Sequence, residues 1–129
     1  MIGVLALQGD FHLHKNALNF IGVNNTYVRT EKDLSECDSL IIPGGESTSM
    51  SILINAFNLY EPIKKFSINH TLFGTCAGAI LMSKFSNDKR TISFDCIDVE
   101  INRNSWGRQV DSFNDTVNLS DEFKVDSIS

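Results

Sequence analysis

The sequence has no long apolar run and no cluster of basic residues. A membrane-spanning helix needs about 20 consecutive apolar residues, and no stretch of the 129 residues approaches that length. Residues 1–5 lack the basic segment of a signal peptide and are typical of a strand. The 11 Lys and Arg residues are scattered, and the formal net charge of -5 disfavours nucleic acids and anionic membranes as partners. We therefore expect a cytoplasmic protein.

Cysteine and histidine are also few, and neither forms a metal-binding pattern. The 3 cysteines, Cys37, Cys76 and Cys96, are odd in number and contain no CxxC pair. This pattern suggests neither a disulfide framework nor a zinc site, and free thiols fit a reducing compartment. His12 and His14 are two residues apart, so on a helix they point to different sides. The sequence therefore predicts no metal and no cofactor.

Short apolar segments alternate with segments of helical periodicity along the first two thirds of the chain. The predicted strands are residues 2–7, 26–29, 39–42, 71–73 and 97–101. The predicted helices are residues 11–21, 48–59, 61–68 and 79–82. This alternation indicates βαβ units around a parallel sheet. With no repeat or linker present, we expect one α/β domain spanning residues 1–129.

Three polar or glycine-rich loops follow predicted strands. They are residues 8–10, 43–47 and 74–76. Active sites of open parallel sheets lie beyond the carboxyl ends of the strands. We therefore expect the three loops to face one crevice.

Cys76 lies between a buried strand and a helix, in the segment Gly74 to Gly78. A sharp strand-to-helix turn exposes such a side chain, and the two glycines permit strained backbone and close packing. The N–H groups at the start of the helix face the position of a developing oxyanion. The alternative is a small cysteine buried in a core turn. Cys37 and Cys96 have no comparable setting, and for them that alternative is preferred.

The loop at residues 43–48 also has two interpretations. Gly44 and Gly45 allow the backbone to approach a ligand and offer N–H groups to an anionic oxygen. Glu46 and Ser47 could hold the amino and carboxylate ends of an amino acid. The alternative is a turn with a helix cap, for which Ser47 or Thr48 is suitable. The two roles are compatible.

Four segments together resemble the class I glutamine amidotransferases, and most closely the glutaminase subunits of pyridoxal 5'-phosphate synthase. They are residues 3–9 (GVLALQG), 43–48 (PGGEST), 74–78 (GTCAG) and 103–113 (RNSWGRQVDSF). The resemblance implies a flavodoxin-like three-layer sandwich with a mostly parallel sheet. It also implies hydrolysis of L-glutamine to glutamate and ammonia, without a cofactor. The ammonia would pass to a barrel-shaped synthase subunit that makes pyridoxal 5'-phosphate, the active form of vitamin B6.

The same resemblance assigns roles to individual residues. Cys76 would attack the side-chain amide and form a thioester. The main-chain N–H groups of Gly45 and Ala77 would form the oxyanion hole. The substrate, L-glutamine, would be bound by Gly45, Glu46, Ser47 and Arg103.

The family's pattern is incomplete in this chain. The His-x-Glu pair that activates the thiol in the family has no counterpart, because His70 is the last histidine. His70 begins the strand that ends near Cys76 and so lies at the wrong sheet edge, whereas His12 and His14 lie at the correct one. The sequence therefore predicts a domain truncated at its carboxyl end, with its last strands missing and an apolar sheet edge exposed.

Three functional hypotheses follow. The first is a working glutaminase of this family. The second is a catalytically inactive, truncated paralogue that acts only as a binding or regulatory module on the synthase. The third is another cysteine-elbow protein of similar fold, peptidase-like or chaperone-like, and the PGGES segment argues against it.

Overall fold

The computed structural model describes residues 1–103, 114 and 116, and its centre is a four-stranded parallel sheet. The strands are β1 (Ile2–Leu5), β2 (Asn25–Val28), β3 (Ser39–Ile42) and β4 (Thr71–Gly74). Their order across the sheet is β2-β1-β3-β4. The predicted α/β class and parallel sheet are confirmed, and each predicted strand of this sheet is present within a few residues of its expected bounds.

The helices divide between the two faces of the sheet. They are α1 (Phe11–Phe20), α2 (Glu31–Ser35), α3 (Ser47–Ala56), α4 (Tyr60–Asn69) and α5 (Ala77–Met82). The step from β1 to β2 runs opposite to the steps from β2 to β3 and from β3 to β4. Because such crossovers are right-handed, α1 lies on one face and α2, α3 and α4 lie on the other. The three layers match the predicted sandwich.

The larger core lies on the face with α2, α3 and α4. Leu40 and Ile42 of β3 are fully buried there against Met50, Ile54 and Ile63. On the opposite face, Tyr27 of β2 meets the ring of Phe11 from α1 edge-on, with ring centres 5.5 Å apart. Alternate strand residues therefore serve the two faces, as the period of a strand requires.

A second, two-stranded parallel sheet follows α5. It pairs β5 (Ser83–Ser86) with β6 (Ile97–Ile101). The strand β6 was predicted with these bounds, but β5 and the five-residue helix α2 were not. The segment between β5 and β6 reaches back to the core, where Phe94 is fully buried and stacks on Tyr60 with ring centres 5.2 Å apart.

The first turns of α1 and α3 are capped differently. The side chain of Asp10 makes no capping hydrogen bond to α1, although Asp10 occupies the cap position. The cap of α3 is Glu46, not Ser47 or Thr48, because its longer carboxylate reaches the N–H groups of Thr48 and Ser49. Just beyond the other end of α1, Gly22 has φ +74°, the left-handed conformation that commonly ends a helix.

No helix within the described residues is long and apolar enough to cross a membrane. The same residues contain no group of three His, Cys, Asp or Glu side chains that could hold a metal ion.

Candidate active site

The three loops expected at the carboxyl ends of the strands are joined by hydrogen bonds. The N–H of Asp10 donates to the carbonyl of Gly44 at 2.8 Å, and the N–H of Thr75 donates to the carbonyl of Ile42 at 3.2 Å. The side-chain oxygen of Gln8 accepts from the N–H of Glu46 at 3.0 Å. The loops after β1, β3 and β4 therefore form one connected surface, as the sequence predicted.

Cys76 stands at the turn between β4 and α5 with a strained backbone. Its φ of 50° and ψ of -110° lie outside the regions that non-glycine residues prefer, and such a conformation costs about 1–3 kcal/mol. The turn is closed by hydrogen bonds from Gly78 N–H to Thr75 O at 2.8 Å and from Ile80 N–H to Cys76 O at 3.1 Å. As a result the Cys76 side chain is exposed rather than buried in the core.

Gly74 and Gly78 are required for this turn because no side chain fits at either position. A Cβ on Gly74 would lie 2.6 Å from Met82 Sδ and 2.7 Å from the carbonyl carbon of Gly78. A Cβ on Gly78 would overlap the main-chain oxygen of Ile42. The two glycines thus let α5 begin directly against β3 and β4, which fixes where Cys76 is presented.

A cavity of about 340 Å³ opens beside Cys76. It is lined by Gly45, Glu46, Ser47, Cys76, Ala77, Ile80, Ile101, Asn102 and Arg103. All six site residues named from the sequence are therefore brought to one cavity. Its volume is at the lower end of the range for small-molecule sites, which suits a ligand of amino-acid size.

Gly45 is confined by the neighbouring loop. A Cβ at this position would lie 2.5 Å from Gln8 Oε1 and 2.9 Å from the Cα of Gly9. Any residue with a side chain would clash with Gln8 here and would disrupt the hydrogen bond between Gln8 and the N–H of Glu46. The absence of a side chain also leaves the main chain of Gly45 accessible from the cavity.

Glu46 has a carboxylate that is already engaged by the protein. Its two oxygens accept from the N–H groups of Thr48 at 3.1 Å and Ser49 at 2.5 Å. These hydrogen bonds, led by the one from Ser49, lower the pKa of Glu46 to about 2. One of the oxygens also lies 3.6 Å from Arg103 Nη2. Glu46 is therefore an anion that caps α3 and borders the cavity at the same time.

Ser47 has a buried hydroxyl that makes no hydrogen bond within the described residues. The residue is 2% exposed, and its Oγ has no hydrogen-bond partner among them. A buried hydroxyl without a partner costs about 1–3 kcal/mol. Ser47 is also among the residues that line the cavity.

Arg103 is held in place by a carboxylate that the sequence did not single out. Its Nη1 donates to Asp88 Oδ2 at 2.6 Å and to the hydroxyls of Thr48 and Thr91, each at 3.3 Å. Hydrogen bonds from Arg90, with the added charge of Arg103, hold the pKa of Asp88 well below its ordinary value. Arg103 is thereby fixed with Nη2 towards Glu46. The remainder of the motif that begins at Arg103, residues 104–113, lies outside the described residues.

The histidines and the other cysteines have different positions relative to the cavity. His14 Nε2 lies 3.3 Å from Thr75 Oγ1, one residue before Cys76, whereas His12 is exposed. His70 stacks on Phe66 at the opposite end of β4. Cys37 is buried, and burial raises the pKa of its thiol. Cys96 is partly buried and packs against the core. The two cysteines therefore agree with the interpretation of core cysteines, and His70 lies at the far end of β4, as expected.

Sequence reasoning missed three residues that shape the cavity or its charge. Ile101 and Asn102 line the cavity, and Asp88 holds Arg103. The sequence indicated Asp88 only weakly, through its place in the polar loop between β5 and β6, which pair in the fold. Ile101 ends a predicted strand just before Arg103, so its proximity to the site could have been inferred.

Comparison with known proteins decides the family. A family model described as the SNO glutamine amidotransferase family matches residues 4–128. The chain belongs to this family. Its site residues therefore lie in a glutamine amidotransferase framework, as the four motifs indicated.

Three relatives are each described as pyridoxal 5'-phosphate synthase subunit PdxT. The protein from Thermosipho africanus is 45% identical over 119 residues, covering 92% of this chain and 63% of the relative. That from Solibacter usitatus is 44% identical over 111 residues, covering 86% and 58%. That from Oenococcus oeni is 41% identical over 128 residues, covering 99% and 64%. The chain thus spans about three fifths of the length of these relatives.

A crystal structure of a glutamine amidotransferase is similar in fold. It superimposes with a TM-score of 0.78 at 39% sequence identity, covering 87% of this chain and 61% of that chain. The described fold is therefore that of the amidotransferase family.

Proposed function

We propose that this chain is a glutaminase that hydrolyses L-glutamine to glutamate and ammonia. The observation that carries the proposal is the joint placement of Cys76, Ser47 and Arg103 in one cavity. The exposed thiol sits on a strained turn, the Ser47 hydroxyl is buried and unpartnered within the described residues, and the arginine is already oriented. Together they provide a nucleophile and two groups suited to an amino-acid carboxylate.

The reaction follows from the geometry of the turn. Cys76 as thiolate attacks the side-chain amide carbon of glutamine, and the carbonyl electron pair moves to the oxygen. The N–H groups of Gly45 and Ala77, which flank the cavity, stabilise this oxyanion. Collapse of the intermediate expels ammonia after its nitrogen gains a proton and leaves a γ-glutamyl thioester. Water then releases glutamate and regenerates the thiol.

The remaining cavity residues bind the two ends of the substrate. Arg103 Nη2 and the Ser47 hydroxyl supply donors for the α-carboxylate. The carboxylate of Glu46, kept ionised by its helix-cap hydrogen bonds, attracts the α-ammonium group. Glu46 therefore acts both in the loop structure and in substrate binding.

The proton transfers require a base as well as the thiol. Of the three histidines in the sequence, His12, His14 and His70, only His14 contacts the nucleophile turn, and it does so through Thr75. Whether this chain turns over glutamine or only binds it is therefore the point on which the two leading hypotheses differ.

The names of the relatives support a role in pyridoxal 5'-phosphate synthesis. Ammonia released at Cys76 would pass to the barrel-shaped subunit of the synthase, which would be the partner of this chain.

Ammonia release tests the proposal directly. The 129-residue chain is incubated with L-glutamine, with and without the cognate synthase subunit, and ammonia is measured over time. We expect release in the presence of the synthase and none with Cys76→Ser, while Cys96→Ser serves as the matched control and keeps the wild-type rate. Binding of glutamine without any ammonia release would contradict the glutaminase and favour the inactive binding module.

A further inference from the structure

The start of α1 packs beside the turn that carries Cys76. The N–H of Asp10, just before α1, donates to the carbonyl of Gly44 at 2.8 Å. A Cβ on Gly44 would lie 3.4 Å from Asp10 Oδ2 and 3.6 Å from the Cβ of Cys76. Further along α1, His14 Nε2 lies 3.3 Å from Thr75 Oγ1. The first turn of α1 therefore borders both the loop after β3 and the turn at Cys76.

Thr75, the residue before Cys76, is anchored to three different elements. Its N–H donates to the carbonyl of Ile42 in β3 at 3.2 Å, and its carbonyl accepts from the N–H of Gly78 in α5 at 2.8 Å. Its hydroxyl is paired with His14 of α1. Thr75 and His14 are both half-buried, so their contact is partly sheltered from water. The anchor from α1 is the one made between two side chains.

The backbone conformation of Cys76 depends on such anchors. Its φ of 50° and ψ of -110° are strained, and strain of this kind persists only where the surrounding structure leaves no alternative. Gly74 and Gly78 provide the space for the turn, whereas the bonds to Thr75 hold the residue that enters it. Loss of one bond would let the turn relax and would change the direction of the Cys76 side chain.

The contact between His14 and Thr75 can exist in either protonation state of the imidazole. In the neutral ring, Nε2 accepts a hydrogen bond from the Thr75 hydroxyl, and in the charged ring Nε2–H donates to Oγ1. The bond therefore does not require His14 to gain or lose a proton. A glutamine side chain can also donate to or accept from a hydroxyl, but its amide cannot serve as a base. This difference separates a positioning role from a role in proton transfer.

We propose that His14 is a positioning residue, which holds the Cys76 thiol in its reactive orientation through Thr75. The consequence for catalysis rests on the proposed glutaminase function. Among the described residues, His14 is not part of the cavity lining, so it should affect the rate of reaction and not the binding of glutamine. Its effect on the thiol itself can be measured without glutamine.

Alkylation by iodoacetamide, followed for each cysteine by peptide mass spectrometry, tests the effect on the thiol. We expect His14→Ala to slow the alkylation of Cys76 about tenfold, because the thiol would spend less time in its exposed orientation. His14→Gln should restore most of the rate. His12→Ala is the matched control, since His12 is exposed two residues away on the same helix. Alkylation of Cys96 in the same samples should be unchanged, which excludes a general loosening of the fold.

Variants of Thr75 test the same bond from its other side, and they decide the question if His14→Ala does not fold. Thr75→Val removes the hydroxyl and keeps the shape of the side chain, so it should slow the alkylation of Cys76 as much as His14→Ala. Thr75→Ser retains the hydroxyl and should restore most of the rate. The double variant His14→Ala, Thr75→Val should react no more slowly than either single variant, because all three lack the same bond.

The catalytic consequence is measured as ammonia release from L-glutamine in the presence of the synthase subunit. His14→Ala should lower kcat about tenfold, since a misplaced nucleophile reacts slowly. It should leave KM within about twofold of the wild-type value, because the cavity residues are intact. A rise in KM with no change in kcat would overturn the proposal.

Alkylation of Cys76 at the wild-type rate in Thr75→Val, or in folded His14→Ala, would also overturn it. The same holds if His14→Gln is as slow as His14→Ala, since His14 would then act as a base or as a charge. Slow alkylation in these variants, with no ammonia release from the wild-type chain, would uphold the role of His14 and contradict the glutaminase alone. Ammonia release that the variants leave unchanged would contradict the role of His14 alone.

Discussion

At the scale of single residues, the site depends on positions where a side chain is excluded. Gly78, in the first turn of α5, packs against the main-chain carbonyl of Ile42 in β3. This contact sets the position of the turn at Cys76. The strain at Cys76, with φ 50°, is maintained because the packing around it leaves no relaxed alternative. The tight packing of the neighbouring residues therefore holds the Cys76 side chain in its exposed position.

Gly78→Ala should destabilise the fold strongly. The added Cβ would overlap the carbonyl of Ile42, so α5 or β3 must shift, and overpacking of this kind costs about 3 kcal/mol. Gly22→Ala is the control, because a Cβ there meets nothing within 4 Å and only the φ of +74° is unfavourable, at about 1 kcal/mol. Urea unfolding measures both. Equal losses in the two variants would show that the α5–β3 contact is not tight.

Glu46 should make stability depend on pH in the acid range. Its pKa is lowered from 4.5 to about 2 in the folded protein, so its contribution is complete above pH 4.5 and is lost as the pH falls towards 2. The stability difference between wild type and Glu46→Gln should therefore be largest above pH 4.5 and vanish near pH 2. Glu61→Gln, in the first turn of α4, controls for loss of a charge near a helix start.

Urea unfolding of the three proteins from pH 6 to pH 2 makes this comparison. A difference between wild type and Glu46→Gln that stays constant across the range would mean that the carboxylate does not cap α3. The same result would remove the argument that Glu46 is held as an anion beside the cavity.

At the scale of elements, the small sheet of β5 and β6 delivers Arg103 to the cavity. Arg103 follows β6, and its main-chain N–H donates to Asn87 in the turn after β5 at 2.9 Å. Asp88 in the same turn then binds the guanidinium. Two segments that are far from the loops of the main sheet in sequence thus complete the site.

Asp88→Ala should weaken glutamine binding without removing the nucleophile. Arg103 would lose its shortest hydrogen bond, and we expect affinity to fall about tenfold, equivalent to about 1.4 kcal/mol. Asp98→Ala is the matched control, because Asp98 is 92% exposed and pairs with Lys84 on the same small sheet; exposed ion pairs contribute little. Calorimetric titration with L-glutamine measures both, and equal affinities would contradict a role for Asp88.

The elements differ in how well the sequence predicts them. The strand β3 and the strand β6 were predicted with their observed bounds, since each has a clear apolar or alternating pattern. The strand β5 reads Ser-Lys-Phe-Ser, and its buried residues are the two serines, so its pattern is the reverse of what burial usually requires. The helix α2 is short, and only its capping box of Thr30 and Asp33 marks it.

At the scale of the whole molecule, the parallel sheet explains why the site residues could be predicted together. Loops at the carboxyl ends of parallel strands must share one edge, so Gly45, Ser47 and Cys76 meet there by topology alone. Asp88 could not be placed in this way, because its position depends on β5 and on a side-chain contact. The single domain of residues 1–129 and the catalytic roles of the site residues stay predictions.

The end of the main sheet is another property at this scale. The sequence predicted an exposed apolar edge, and within the described residues the outer strand β4 carries Phe73, which is 57% exposed. Family members with the same framework extend well beyond the shared region.

The central claim is that the cavity beside Cys76 is a glutamine site with Cys76 as its nucleophile. Reaction of the chain with a diazo-ketone analogue of L-glutamine, followed by peptide mass spectrometry, tests it most directly. We predict one added label, on Cys76, that L-glutamine prevents and D-glutamine does not. Labelling spread over Cys37, Cys76 and Cys96, or labelling of Cys76 that L-glutamine leaves unchanged, would contradict the claim.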